Sequence, residues 1–187
     1  MSDRYDARRN HRSLPPNSLP SPARISSYSS IAPALGYQPS VHIVPQEPYG
    51  PTLAEVVYSI QGSHTPGIAL ASAPANVHGL WGKEQPFFAE MGMKASIRVN
   101  WPGYEPYSHQ FTIKDARINA NPISIARSVQ LIADEMRRAI NKLEGRPCTQ
   151  PAWRVGRGFI EMEHLILIKV SRVSNGSVQP HFAVRRR

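Results

Sequence analysis

Between residues 121 and 145, apolar side chains recur at steps of three and four: Ile125, Val129, Ile132, Met136, Ala139, Ile140 and Leu143, with Arg127, Gln130, Asp134, Arg138 and Asn141 falling elsewhere. That spacing stacks the apolar set on one face of an α-helix. Asn121 can cap its start, and Pro122 suits the first helical position, where a missing N–H costs nothing. Gly145 suits the left-handed position after the last turn, so a helix over about 122–144 is predicted. A stripe of this kind needs a sheet or a second helix to lie on, which marks a folded domain.

Period two takes over on both sides of the helix. Ala95, Ile97, Val99 and Trp101 alternate with Lys94, Ser96, Arg98 and Asn100, the pattern of a strand with one wet face. Trp101-Pro102-Gly103-Tyr104 then predicts a type II turn, Pro102 presetting φ and Gly103 free to take φ above zero. Tyr107 to Ile113 alternates again and completes a hairpin. After a turn-rich connection from Arg146 to Gly158, a long strand runs to Asn175-Gly176, a type I′ hairpin signal, and returns from Val178 to Val184. The apolar run Leu165–Ile168 places the first of these strands centrally, and Pro180 places the second at an edge or a bulge. Upstream, Val41–Val44 is a short strand and Gly67–Ala73 a buried one. Thr52–Ile60 is ambiguous: its β-branched residues favour a strand, but Leu53, Val56, Val57 and Ile60 lie at helical spacing and it is read as a short helix. The order predicts an α+β fold, a mainly antiparallel sheet packed against one long amphipathic helix.

Trp101-Pro102-Gly103-Tyr104, a short strand, and a helix opening on Pro122-Ile123-Ser124 and continuing Ile125-Ala126-Arg127 resemble an uncharacterised domain family from fungi, over about residues 41–184. The resemblance implies that turn and helix belong to one module. It brings no activity with it.

Composition divides the chain. Residues 1–40 mix Arg, Ser, Pro and Asn without periodicity and are expected to form a disordered basic arm ahead of a single α+β domain at 41–184. The net charge of +9 splits along the same lines: five Arg against two Asp in residues 1–40, nine against nine in 41–144, five against two in 145–184, then Arg185, Arg186 and Arg187 as a basic tail. The positive charge therefore belongs to the flanks and one late segment, not to the centre. One cysteine, Cys148, rules out an intramolecular disulfide. No apolar run is long enough to span a bilayer, and no apolar stretch follows the N-terminal arginines as in a secretory signal. The expectation is an intracellular protein of cytoplasm or nucleus without membrane insertion; mitochondrial import stays open, although Asp3, Asp6 and the early prolines count against it.

Candidate chemistry is sparse. His11, His42, His64, His78, His109, His164 and His181 form no HxH, HExxH or HxxxH spacing, so no metal site and no cofactor are predicted. Cys148 lies near several arginines but within no nucleophile motif. Gly156-Arg157-Gly158 lacks a third glycine and is followed by a strand where a phosphate loop needs a helix. No catalytic residue is assigned, and the sequence leans away from an enzyme; an enzyme would show as a pocket gathering His78, His109 or Glu90. Trp81 between glycines and the pair Phe87–Phe88 after Pro86 are candidates for a partner-binding lip, or for a plug that fastens the loop to the core. The leading expectation is a non-enzymatic interaction module acting through a protein partner at Trp81, Phe87 and Phe88. The alternative is a nucleic-acid-associated protein binding through its basic flanks, the N-terminal arm among them, and the Arg146–Arg157 loop, with Trp153, Arg154, Arg157, Arg185, Arg186 and Arg187 as contacts, because basic residues interleaved with aromatics suit stacked bases and phosphates.

Overall fold

The computed structural model describes residues 40–115 and 121–186. The expected arm lies outside them, apart from Ser40, which already belongs to the first strand. The elements run β1 (Ser40–Ile43), β2 (Ala54–Val57), β3 (Ile68–Ala69), the single-turn α1 (Ala73–Asn76), β4 (Lys94–Val99), β5 (Tyr107–Thr112), β6 (Lys114–Asp115), β7 (Asn121–Pro122), α2 (Ile125–Leu143), β8 (Leu165–Ser174) and β9 (Ser177–Arg186). Seven strands form one sheet in the order β2-β8-β9-β4-β5, with β1 alongside β9 and β3 alongside β8; β6 and β7 make a separate pair. The sheet is mixed: β4 pairs with β9 in parallel at Ser96–Ser177 and Ile97–Val178, whereas the other pairings in the sheet are antiparallel. Among the described residues no helix is long and apolar enough to cross a membrane.

The stripe of α2 is buried along its full length, from Ile125 to Leu143, in one core with Ala95, Ile97 and Val99 of β4, Leu165, Leu167 and Val170 of β8, and Val178, Phe182 and Val184 of β9. The helix starts three residues later than its signals suggest. Ser124 is the cap, its Oγ accepting from Arg127 N at 3.2 Å. Asn121 and Pro122 lie in β7, because the residue before a proline favours extended backbone and the segment continues into main-chain bonds from Ile123 N to Ile113 O and from Phe87 N to Ile123 O. The stop is where it was expected, with Gly145 at φ 77°.

Three other expectations change. Residues 54–57 are a strand, not a helix: β2 pairs with Arg172 to Lys169 of β8, leaving Glu55 and Val57 exposed and Val56 turned to the core. The expected buried strand over 67–73 ends after Ala69, and the chain turns into α1, which carries Pro74 in its first turn. At the tip of the β8–β9 hairpin neither Asn175 nor Gly176 is left-handed. Instead of a type I′ turn, an extra residue, Val173, bulges between the Arg172–Val178 and Ser174–Ser177 pairs, and Ser174 Oγ accepts from Gly176 N.

Pro180 sits inside a central strand, not at the sheet's rim. On its flank β9 passes from β4, at 177–178, to β1, at 183–186, and Pro180 falls in the gap. Its carbonyl accepts from Gln46 Nε2 at 2.7 Å. In extended backbone a residue's N and C=O face the same side, so the missing N–H costs no ladder bond. The β1–β2 connection fills this gap and crosses the sheet face opposite α2, with Tyr49 N donating to Gln179 Oε1 and Gln179 Nε2 to Glu47 O.

Candidate functional site

The segment after α2 is pinned to the fold before it shows any chemistry. Gly103, at φ 82°, closes the Trp101–Tyr104 turn and lets the Cys148–Gln150 segment approach; a Cβ there would lie 2.7 Å from Cys148 Sγ. Trp101 is buried and donates from Nε1 to Trp153 O at 2.7 Å, and Tyr104 OH accepts from Val155 N at 3.1 Å. A 3-10 turn at Pro151–Trp153 leads into a closed loop in which Ile160 N donates to Arg154 O and Gly156 N to Ile160 O. Val155 and Ile160 plug this loop into the core, which leaves Arg154 and Phe159 outside.

There the loop meets the end of β9. Pairing with β1 carries β9 through Arg185 and Arg186, so these residues are strand and not tail; Arg187 lies outside the described residues. Arg186 Nη2 donates to Ala152 O at 2.7 Å, with its guanidinium carbon 4.9 Å from the Trp153 ring centroid. Arg154 stands 4.2 Å from the Phe159 centroid. Together they enclose a cleft of about 350 Å³ lined by Ala152, Arg154, Phe159, His164, Arg185 and Arg186 over a floor of Ile160 and Val184. Among the described residues none of these arginines is in a salt bridge with a carboxylate. Phe159 remains 46% exposed. His164 Nδ1 accepts from Glu161 N at 2.9 Å, which puts the ring proton on Nε2 and makes that nitrogen a donor.

Of the six residues expected to contact nucleic acid, the structure thus gathers Trp153, Arg154, Arg185 and Arg186. Arg157 goes elsewhere. It lines a separate cleft with Arg137, Glu144, Glu161 and Glu163, and its own N–H is taken by Glu144 Oε1 at 2.8 Å.

The expected partner lip is divided. Phe87 and Phe88 are buried, their ring centroids 4.5 Å apart, so they are the plug and offer no surface. Phe88 holds φ at 44°, a left-handed strain that its burial offsets. Trp81 is 64% exposed, beside the chain leaving β2, with its N–H donated to Ser59 O.

His78, His109 and Glu90 do not share a pocket. Glu90 bridges to Arg172 at 2.9 Å, and the carbonyl of His78 accepts from Lys83. His109 Nδ1 meets Glu135 Oε2 at 2.8 Å, and the same carboxylate accepts from Tyr107 OH at 3.3 Å and from Arg138 Nη1 at 2.8 Å. Glu135 is only 4% exposed, so its i+3 pairing with Arg138 is not a solvated surface pair. Burial, then the neighbouring Glu135 charge, pushes the Tyr107 hydroxyl up to about 12.

A second polar group lies on the sheet face away from α2. Glu55 Oε1 accepts from Lys169 Nζ at 2.6 Å and from Ser171 Oγ at 3.1 Å, and Ser171 Oγ lies 3.0 Å from His181 Nε2. The Lys169 bond holds the Glu55 carboxyl below the usual range, and burial holds the His181 imidazole below its own. Serine, histidine and carboxylate are all present, but the carboxylate binds the serine instead of orienting the ring, and Ser171 is buried. That is not the geometry of an activated nucleophile. Cys148 Sγ points to Gln150 O at 3.2 Å. Among the described residues no three His, Cys, Asp or Glu side chains are grouped to hold a metal ion. No family model, no curated protein and no solved structure matches the chain.

Proposed function

We propose that this chain is a non-enzymatic binding module whose working surface is the arginine–aromatic cleft and whose ligand is a polyanion. The observation that carries this reading is the convergence of Arg154, Arg185 and Arg186 on one concavity with, among the described residues, no carboxylate bridged to them. Guanidinium groups whose internal contacts are a backbone carbonyl and aromatic rings, not carboxylates, keep fork-shaped donors matched to phosphate or carboxylate. The protein-partner reading built on Trp81, Phe87 and Phe88 keeps only Trp81 at the surface. Heparin chromatography tests the proposal. Arg154→Glu with Arg185→Glu is expected to elute at much lower salt than the parent chain, while Lys94→Glu with Lys142→Glu, the same charge change on exposed residues away from the cleft, shifts elution far less. Equal shifts for the two pairs would remove the cleft from the function.

A further inference from the structure

We infer that the ligand of this cleft is a single-stranded nucleic acid, held by stacking of one unpaired base on Phe159 while its phosphates meet Arg154 and Arg185. The inference rests on the cleft being a polyanion site and adds which polyanion it takes.

Aromatic faces decide between the candidates. A site for carboxylates or sulfates needs cations and gains nothing from ring faces, yet two guanidinium–ring pairs line or adjoin this cleft, Arg154 on Phe159 at 4.2 Å and Arg186 on Trp153 at 4.9 Å. Phe159 is left 46% exposed, although Val155 and Ile160 of the same loop are buried. The loop spends its two small apolar residues on anchoring and holds its large ring at the lip. With Arg154 over one face of the ring, the exposed remainder of Phe159 is what a planar base would stack on, because every base has a π-face and its backbone brings the charge that the arginines lack. The protonated Nε2 of His164, fixed by the Nδ1 bond from Glu161 N, adds a donor for a base carbonyl or a phosphate oxygen.

Size argues for a single strand. A cleft of about 350 Å³ admits one unstacked base with its sugar. A duplex keeps its base faces stacked inside and presents phosphates and groove edges, so it can reach the arginines without using Phe159. An acidic peptide likewise engages the arginines alone.

Fluorescence anisotropy on the full chain tests this with three probes: a labelled mixed-sequence oligonucleotide of about 10 nucleotides, the same sequence as a duplex, and a labelled poly-glutamate peptide. The single strand is expected to bind most tightly. Phe159→Leu is expected to weaken single-strand binding roughly 5- to 100-fold, with the salt slope unchanged and duplex binding unaffected, and Phe159→Trp to keep it. Arg154→Glu with Arg185→Glu is expected to lower the salt slope for both nucleic acids, as fewer counterions are released. Thermal melts of each variant establish that it is folded. Equal binding of single strand and duplex, with Phe159→Leu silent, would overturn the stacked-base inference and leave the polyanion reading standing. Tighter binding of poly-glutamate would do the same. Binding to all three probes that is indifferent to the arginine pair would overturn both.

Discussion

On α2, Glu135 lies three residues after Ile132 and four before Ala139, inside the buried stripe, and its carboxylate takes bonds from Tyr107, His109 and Arg138. A carboxylate at such a position is tolerated because three donors replace the water it loses. Its i+3 and i+4 relation to the stripe could have flagged it from sequence; its partners on β5 could not. The Tyr107 hydroxyl carries the pH consequence. In the unfolded chain it titrates near the ordinary 10.0, and in the fold near 12, so between those values the folded state holds the proton that the unfolded state has lost. Stability is therefore expected to fall as pH rises across that window. Burial pushes the Tyr58 hydroxyl up as well, which acts in the same direction. Urea unfolding at about pH 9 and about pH 11.5 should show the loss, reduced but not abolished in Tyr107→Phe. A loss equally steep in that variant would mean the hydroxyl is not held as described.

At the scale of elements, α2 and the two hairpins were written in local pattern. The 3.6-residue stripe, the alternation in β4 and β5 and the Gly103 turn state their geometry within a few residues, whereas Asn175-Gly176 marks the place of the β8–β9 reversal but not its turn type. The start of α2 was not so legible, because Pro122 suits extended backbone as well as a first helical turn, and the bonds through Ile123 decided the matter. Thr52–Ile60 failed as a helix for a related reason. Leu53 and Val57 share a helical face in the sequence, yet both are about half exposed, at 49% and 55%, since β8 selects Val56 and Tyr58 for the core by strand alternation. The stripe itself yields a direct test. Ile132→Ala is expected to cost about 2–5 kcal/mol, and Gln130→Ala, on the wetter side, under about 0.5 kcal/mol, both read from denaturant unfolding. Similar costs for the two would contradict the orientation of α2.

For the molecule as a whole, the loop of residues 77–93 sets its two kinds of aromatic to different uses. Phe87 enters the core and fastens the loop to the segment before α2 through its N–H bond to Ile123, whereas Trp81 stays in water. Phe87→Ala is expected to cost about 3–5 kcal/mol, and Trp81→Ala to leave both the melting temperature and heparin elution close to the parent values. A shift of heparin elution by Trp81→Ala would extend the binding surface to the β2 edge. The cleft is an equally global product: Arg154 and Phe159 arrive on a loop fastened by Trp101 and Tyr104, and Arg185 and Arg186 arrive on β9 where β1 extends its pairing through Arg186.

By itself the sequence determined what is encoded between near neighbours. It specified the amphipathic helix and its stop, the β4–β5 and β8–β9 hairpins, and a late segment rich in arginines and aromatics, because periodicity and turn chemistry act over a few residues. Only the tertiary structure decided which arginines converge, separating Arg157 from Arg154 and bringing in Arg185 and Arg186. It also decided that Phe87 and Phe88 are core, that Glu135 is buried, and that β4 joins β9 in parallel. Each of those depends on which distant strand lies alongside, and that is settled by the burial of the whole apolar set at once, which no local window contains.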